Sequence, residues 1–158
     1  MQFSRLSPAG APLRLVLDTN VVLDCFVFRD PATRDLVEAI ETHRVEALVH
    51  AVTLDEFERV LAYPQCRLDP AEQRTVLDRY VRLATAVSMP LGFSRVDPQL
   101  PPDFPRCRDR DDEIFIALAY HTQADALVTK DKVVLKLRRK ARKFGVAIVA
   151  PRELQVVD

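Results

Sequence analysis

Short apolar runs alternate along this chain with segments in which apolar residues recur every three or four positions. Leu13-Arg14-Leu15-Val16-Leu17 is compact, partly β-branched and closed by Asp18-Thr19-Asn20, the pattern of a buried strand. Ala47-Leu48-Val49, Ala126-Leu127-Val128-Thr129 and Val146-Ala147-Ile148-Val149 predict three more strands. The helical period dominates between them. Residues 21–28 predict a helix that Asp30-Pro31 interrupts, with Leu36, Val37, Ala39 and Ile40 continuing a helical face. From Thr53 to Leu61, the side chains of Leu54, Phe57, Val60 and Leu61 share one side. Asp69-Pro70-Ala71-Glu72 places Asp at the N-cap, Pro at the first helical position and Glu two residues on, which starts a helix running to about residue 86. Residues 109–121 and the basic stretch 132–143 predict two further helices.

Strands separated by helical segments imply βαβ units and a parallel sheet, hence an α/β fold. A length of 158 residues suits one domain, with 1–12 as an N-terminal extension. Five prolines (Pro90, Pro98, Pro101, Pro102, Pro105) crowd into a connection spanning 88–108. Irregular connections of that length are often functional or mobile.

Composition narrows the function. With 48% hydrophobic residues the chain can bury a core, so disorder is excluded. Gly10, Gly92 and Gly145 are isolated, and no glycine-rich phosphate or dinucleotide loop can be written from them. Cys25, Cys66 and Cys107 form no C-x-x-C, and His43, His50 and His121 have no zinc spacing. Such scattered cysteines read as free thiols in a reducing cytoplasm. The N-terminus has no apolar signal region and no run is long enough to span a bilayer, so neither secretion nor a membrane is expected.

Acidic residues supply the candidate chemistry. Asp18 ends the first strand and Asp131 follows the third. Glu56 is expected in the first turn of the helix after the second strand, and Asp112 in the first turn of the helix before the third. Helices of βαβ units start at the edge where strands end, so all four carboxylates belong to one sheet edge, where open α/β sheets bind ligands. Converging like charges call for a cation between them. An oxygen-only set suits Mg²⁺ or Mn²⁺ rather than zinc, and such a site suits phosphodiester hydrolysis. Each acid also has a plain structural role open to it: Thr53-x-x-Glu56 and Asp109-x-x-Asp112 have the form of helix caps, and Asp18 and Asp131 could satisfy turn amides.

Four motifs in order also carry a family likeness: Leu17-Asp18-Thr19-Asn20-Val21, Leu54-Asp55-Glu56-Phe57, Arg108-Asp109-Arg110-Asp111-Asp112-Glu113 with its following apolar helix, and Val128-Thr129-Lys130-Asp131. From Leu13 to Leu154 the chain resembles PIN-domain nucleases, in particular the bacterial branch of VapC-like toxins from toxin–antitoxin pairs. The resemblance implies a three-layer α/β/α sandwich with a central parallel sheet and a Mg²⁺- or Mn²⁺-dependent endoribonuclease. Asp18, Glu56, Asp112 and Asp131 match the four catalytic, metal-holding acids. Asp112 suits the third place because Ala119 falls seven residues later, with Asp109 and Asp111 as close rivals. Asn20, Thr129 and Asp109 match polar residues around the acids. A homodimer and a small antitoxin partner are implied too; the apolar surfaces near 21–40 and 71–86 could supply dimer contacts or could equally be core. Family members also process RNA in housekeeping roles, and a PIN-like module could hold RNA or protein without cutting. A phosphatase using Asp18 as nucleophile expects Asp at position 20, where this chain has Asn20.

Lys+Arg and Asp+Glu both total 23, yet residues 130–143 hold eight Lys/Arg against Asp131 alone, a local charge of +7. Lys130, Lys132, Arg138, Arg139 and Lys140 are therefore candidates for holding an RNA backbone beside the acids. The plain alternative is a solvated helix face with Val133, Val134, Leu135 and Leu137 packed inward.

Overall fold

The computed structural model describes residues 10–154, so most of the expected N-terminal extension lies outside the described residues. Five strands form one sheet: β1 (Leu13–Leu17), β2 (Val45–Val49), β3 (Thr85–Ala86), β4 (Ala126–Val128) and β5 (Ile148–Val149), in the order β3-β2-β1-β4-β5. Every pairing is parallel, with Leu13 opposite Val45, Leu15 opposite Ala126, Leu48 opposite Thr85 and Leu127 opposite Ile148. The strands are apolar on both faces because helices cover both. Leu13, Leu15 and Leu17, with Val45, Ala47, Val49, Ala126 and Val128, face one core that α1 (Thr19–Phe26), α2 (Arg34–Glu41), α3 (Ala51–Leu61) and α4 (Pro70–Leu83) complete. The alternate residues Val16, Leu48, Leu127 and Ile148 face a second core. It is filled by α5 (Arg110–Thr122), by Val134 of α6 (Lys132–Leu135) and by Ala141 of α7 (Arg138–Ala141). The result is the expected α/β/α sandwich.

Several boundaries differ from the sequence pattern. α3 starts at Ala51 rather than Thr53, because His50 takes the N-cap: its Nδ1 accepts from the Val52 amide at 3.2 Å, and Thr53 Oγ1 accepts from the His50 amide at 3.1 Å. Glu56 therefore sits in the second turn of α3 and caps nothing. The Asp69–Glu72 capping box forms as expected, with both hydrogen bonds at 2.8 Å. α4 stops at Leu83, however, since Thr85–Ala86 pair with β2 as an edge strand too short to leave a periodic signal. The basic stretch is not one helix but α6, α7 and a 3-10 turn at Arg142–Phe144. Neighbouring cations at three- and four-residue spacing disfavour a continuous helix there, while Val134 and Ala141 hold its two short pieces to the sheet.

Aromatic anchors pin the irregular 88–108 connection. Phe93 packs edge-on to the rings of His50 and His121 at 5.3 and 6.4 Å, and His121 Nε2 lies 3.1 Å from the Pro98 carbonyl. Phe104 is buried against Tyr120 and Phe144. Arg106 donates to Glu113 at 2.8 and 3.2 Å, and the Cys107 amide donates to the same carboxylate. Phe104→Ala should therefore cost about 3–5 kcal/mol in urea unfolding. Leu91→Ala, in the same connection but fully exposed, should change stability by no more than about 0.5 kcal/mol.

Candidate functional site

β1 and β4 are neighbours, yet the chain reaches β4 only after building β2 and β3 on the far side of β1. Strand order reverses at this point, which opens a crevice beyond the C-terminal ends of the two strands. Asp18 and Thr129 stand there. The Asp18 amide continues the ladder to the Val128 carbonyl at 2.9 Å, and its buried side chain caps α1 through the Thr19 amide at 2.7 Å. Thr129 is wholly buried. Its hydroxyl donates to the second Asp18 oxygen at 2.6 Å and accepts from the Asp131 amide at 3.0 Å. Asp131 caps α6 through the Val133 amide, and Asn20 Oδ1 accepts from the Lys130 amide at 3.3 Å. One threonine thus links the first and last acids of the sequence pattern.

α5 brings the others. Asp109 caps it through the Asp111 amide at 2.8 Å, and Asp112 lies in its first turn. Burial, and then the charges of Asp18, Asp109 and Asp131, push the Asp112 carboxyl up to about 8, and a hydrogen bond with Asp131 acts the same way. Burial also raises Asp18 against the hydrogen bonds from Thr129 and Thr19, with Asp131 and Glu56 adding to the rise. These acids act on one another electrostatically, and among the described residues no ion pair to Asp18, Asp112 or Asp131 forms.

Glu56 and Asp111 are held differently. Glu56 is buried, but its Oε2 accepts from Arg59 Nη2 at 2.6 Å and from Arg95 Nη1 at 3.0 Å. The same two arginines reach Asp111, Arg59 at 2.8 Å and Arg95 in direct contact. Burial works to raise the Asp111 carboxyl, but Arg59 and Arg95 outweigh it and hold it below its ordinary value. Of the three rival acids on this helix, Asp112 faces the field of Asp18 and Asp131, Asp109 caps, and Asp111 pairs with arginine. Arg59 and Arg95 were not among the sequence candidates. Arg59 lies one turn from Glu56, a spacing that could have flagged it, whereas Arg95 arrives from 39 residues away in an irregular segment.

The basic tract is unevenly engaged. Lys130 pairs with buried Asp24 at 2.5 Å, and Arg138 forms a two-bond fork with Glu153 at 2.7 and 2.9 Å. Lys132, Arg139 and Lys140 are exposed.

A PIN-domain family model matches residues 14–133, from β1 to just past Asp131. The chain belongs to the PIN-domain family. Comparison with curated proteins and with solved structures gave no match. PIN domains are generally nucleases and generally use divalent metals such as Mg²⁺. In this PIN domain no group of three or more His, Cys, Asp or Glu side chains among the described residues is gathered closely enough to hold a metal ion. The donor chemistry fits a hard cation all the same. Asp18, Asp112 and Asp131 offer only carboxyl oxygens that act on one another electrostatically, and the buried hydroxyl of Thr19, next to Asp18 in the chain, has no hydrogen-bond partner.

A pH dependence follows. The folded protein keeps the Asp112 proton up to about 8, whereas the unfolded chain releases it near 3.8. Between those values the native state binds more protons, so stability falls as pH rises and levels off above the upper one. Urea unfolding of metal-free protein across that window should show this decline, and Asp112→Asn should flatten it.

Proposed function

We propose that this PIN domain is a Mg²⁺- or Mn²⁺-dependent endoribonuclease and the toxin of a toxin–antitoxin pair. The observation that carries the nuclease reading is the uncompensated carboxylate group Asp18, Asp112 and Asp131 at the switch point of the sheet. Those three residues would hold the cation. Bound there, it would supply a water of lowered pKa and offset charge on the transferring phosphoryl group. Thr129 fixes the Asp18 carboxylate by its hydrogen bond and sets where Asp131 begins α6. Lys132, next to Asp131, and exposed Arg139 and Lys140 give an RNA backbone a cationic track leading to the acids. Arg138 and Lys130 contribute less to that track, since each already faces a carboxylate.

The toxin assignment rests on the resemblance of the four motifs to VapC-like proteins, and with it go a cytoplasmic site of action, a small antitoxin and a homodimer. Phe28 and Val81, one in each segment expected to carry dimer contacts, remain 52% and 45% exposed. No helix among the described residues is long and apolar enough to cross a membrane.

Single-turnover cleavage of RNA with Mn²⁺, beside an RNA-binding assay at two salt concentrations, tests this reading. Wild type should cut, and Asp18→Asn should lose at least about a hundredfold in rate, the upper end of what disturbing a ligand-orienting group costs, while still binding RNA. Changing Lys132, Arg139 and Lys140 together to Ala should weaken binding of many RNA sequences alike and lower the salt slope by about one unit per lost phosphate contact. Growth arrest on expression, relieved by Asp18→Asn, supports the toxin role. Cleavage without arrest favours housekeeping RNA processing. Protein that binds RNA but never cuts it with any divalent metal contradicts the nuclease reading.

A further inference from the structure

We infer that Glu56 is the anion of an arginine clamp rather than a member of the metal-holding set. The inference rests on the nuclease reading above and departs from the four-acid match the sequence offers. The acids at this edge fall into two groups by what faces them. Asp18 is met by a threonine hydroxyl and a backbone amide, and Asp112 by other carboxylates. Glu56 instead receives two guanidiniums on one oxygen, and both also bind Asp111. Arg59, Arg95, Glu56 and Asp111 form a closed quartet of two cations and two anions, with no formal charge left over.

Burial makes this arrangement hard to undo. The Glu56 side chain is only 8% exposed, and its charge-assisted hydrogen bonds are short. Turning that carboxylate to an ion would leave Arg59 and Arg95, whose side chains are 50% and 34% exposed, with Asp111 alone as their shared anion. Glu56 lies near enough to Asp18 to act on it electrostatically, so the clamp forms the border of the acid cluster. Two consequences follow for the reaction. A cation held by Asp18, Asp112 and Asp131 without Glu56 would have more coordination positions open to water and phosphate oxygens. Arg95 also fastens the 88–108 connection to that border, joining α3, α5 and the connection through one quartet. Arg59 and Arg95 are thus positioning residues, acting through Glu56.

Mn²⁺ alone, titrated into the full chain and followed by the electron paramagnetic resonance of the free ion, separates the two roles for Glu56. Asp18→Asn should weaken binding at least about tenfold, while Glu56→Gln should bind close to wild type. Carboxyl-carbon NMR of wild type with Mg²⁺ gives the same answer without any substitution: the Asp18 and Asp112 carboxyl resonances should move with the ion, and that of Glu56 should stay. In Arg95→Gln the Glu56 resonance should begin to respond, and Arg95→Lys should silence it again. A Glu56→Gln loss as large as that of Asp18→Asn, or a wild-type Glu56 resonance that moves with Asp18, overturns the clamp while the metal-dependent nuclease stands. Wild type that takes up neither ion overturns the nuclease reading and the clamp assignment with it.

Discussion

The hydrogen bond from Thr129 to Asp18 joins the ends of the two strands between which the sheet reverses direction. It holds a buried carboxylate at the mouth of the crevice and uses the same hydroxyl to place Asp131. α1 starts on Asp18 and α6 starts on Asp131, so two helix starts are fixed by the residues that carry the candidate chemistry. Helix N-termini favour anions, which helps this edge tolerate its acids. Burial and the neighbouring acids nevertheless raise both Asp18 and Asp112.

How that charge is divided explains the organisation of the site. On the α3 side, arginines neutralise Glu56 and Asp111 and secure the proline-rich connection. Between β1, β4 and α5, the acids are left facing one another. Function supplies a reason for a fold to keep such a cluster, because a scaffold gains nothing from mutual repulsion. PIN domains are generally nucleases that use divalent metals, and the function proposed above gives the cluster that reason.

The sheet was legible in the sequence because strands buried on both faces appear as short continuous apolar runs, and β1, β2, β4 and β5 all do. The acid edge was legible through βαβ geometry alone, which puts strand ends and helix starts together. What escaped had no local signal or a misleading one. β3 is two residues of Thr and Ala. The Thr53-x-x-Glu56 spacing imitates a capping box, whereas His50, an uncommon cap, takes that place. The basic stretch has helical periodicity, yet its crowded charges break it into short turns. Arg95 could be found only by folding the chain, since its partners lie on two helices and it lies on neither.

The central claim is that Asp18, Asp112 and Asp131 bind a divalent cation. Isothermal titration calorimetry of Mg²⁺ or Mn²⁺ near neutral pH, repeated in buffers of different ionisation enthalpy, tests this most directly by counting released protons. Because the Asp112 carboxyl is pushed up to about 8, a metal that enters the cluster must displace its proton. The account predicts binding with release of about one proton, the release disappearing once the pH is raised well past the Asp112 value. Binding that releases no proton near neutrality, or no binding at all, contradicts it.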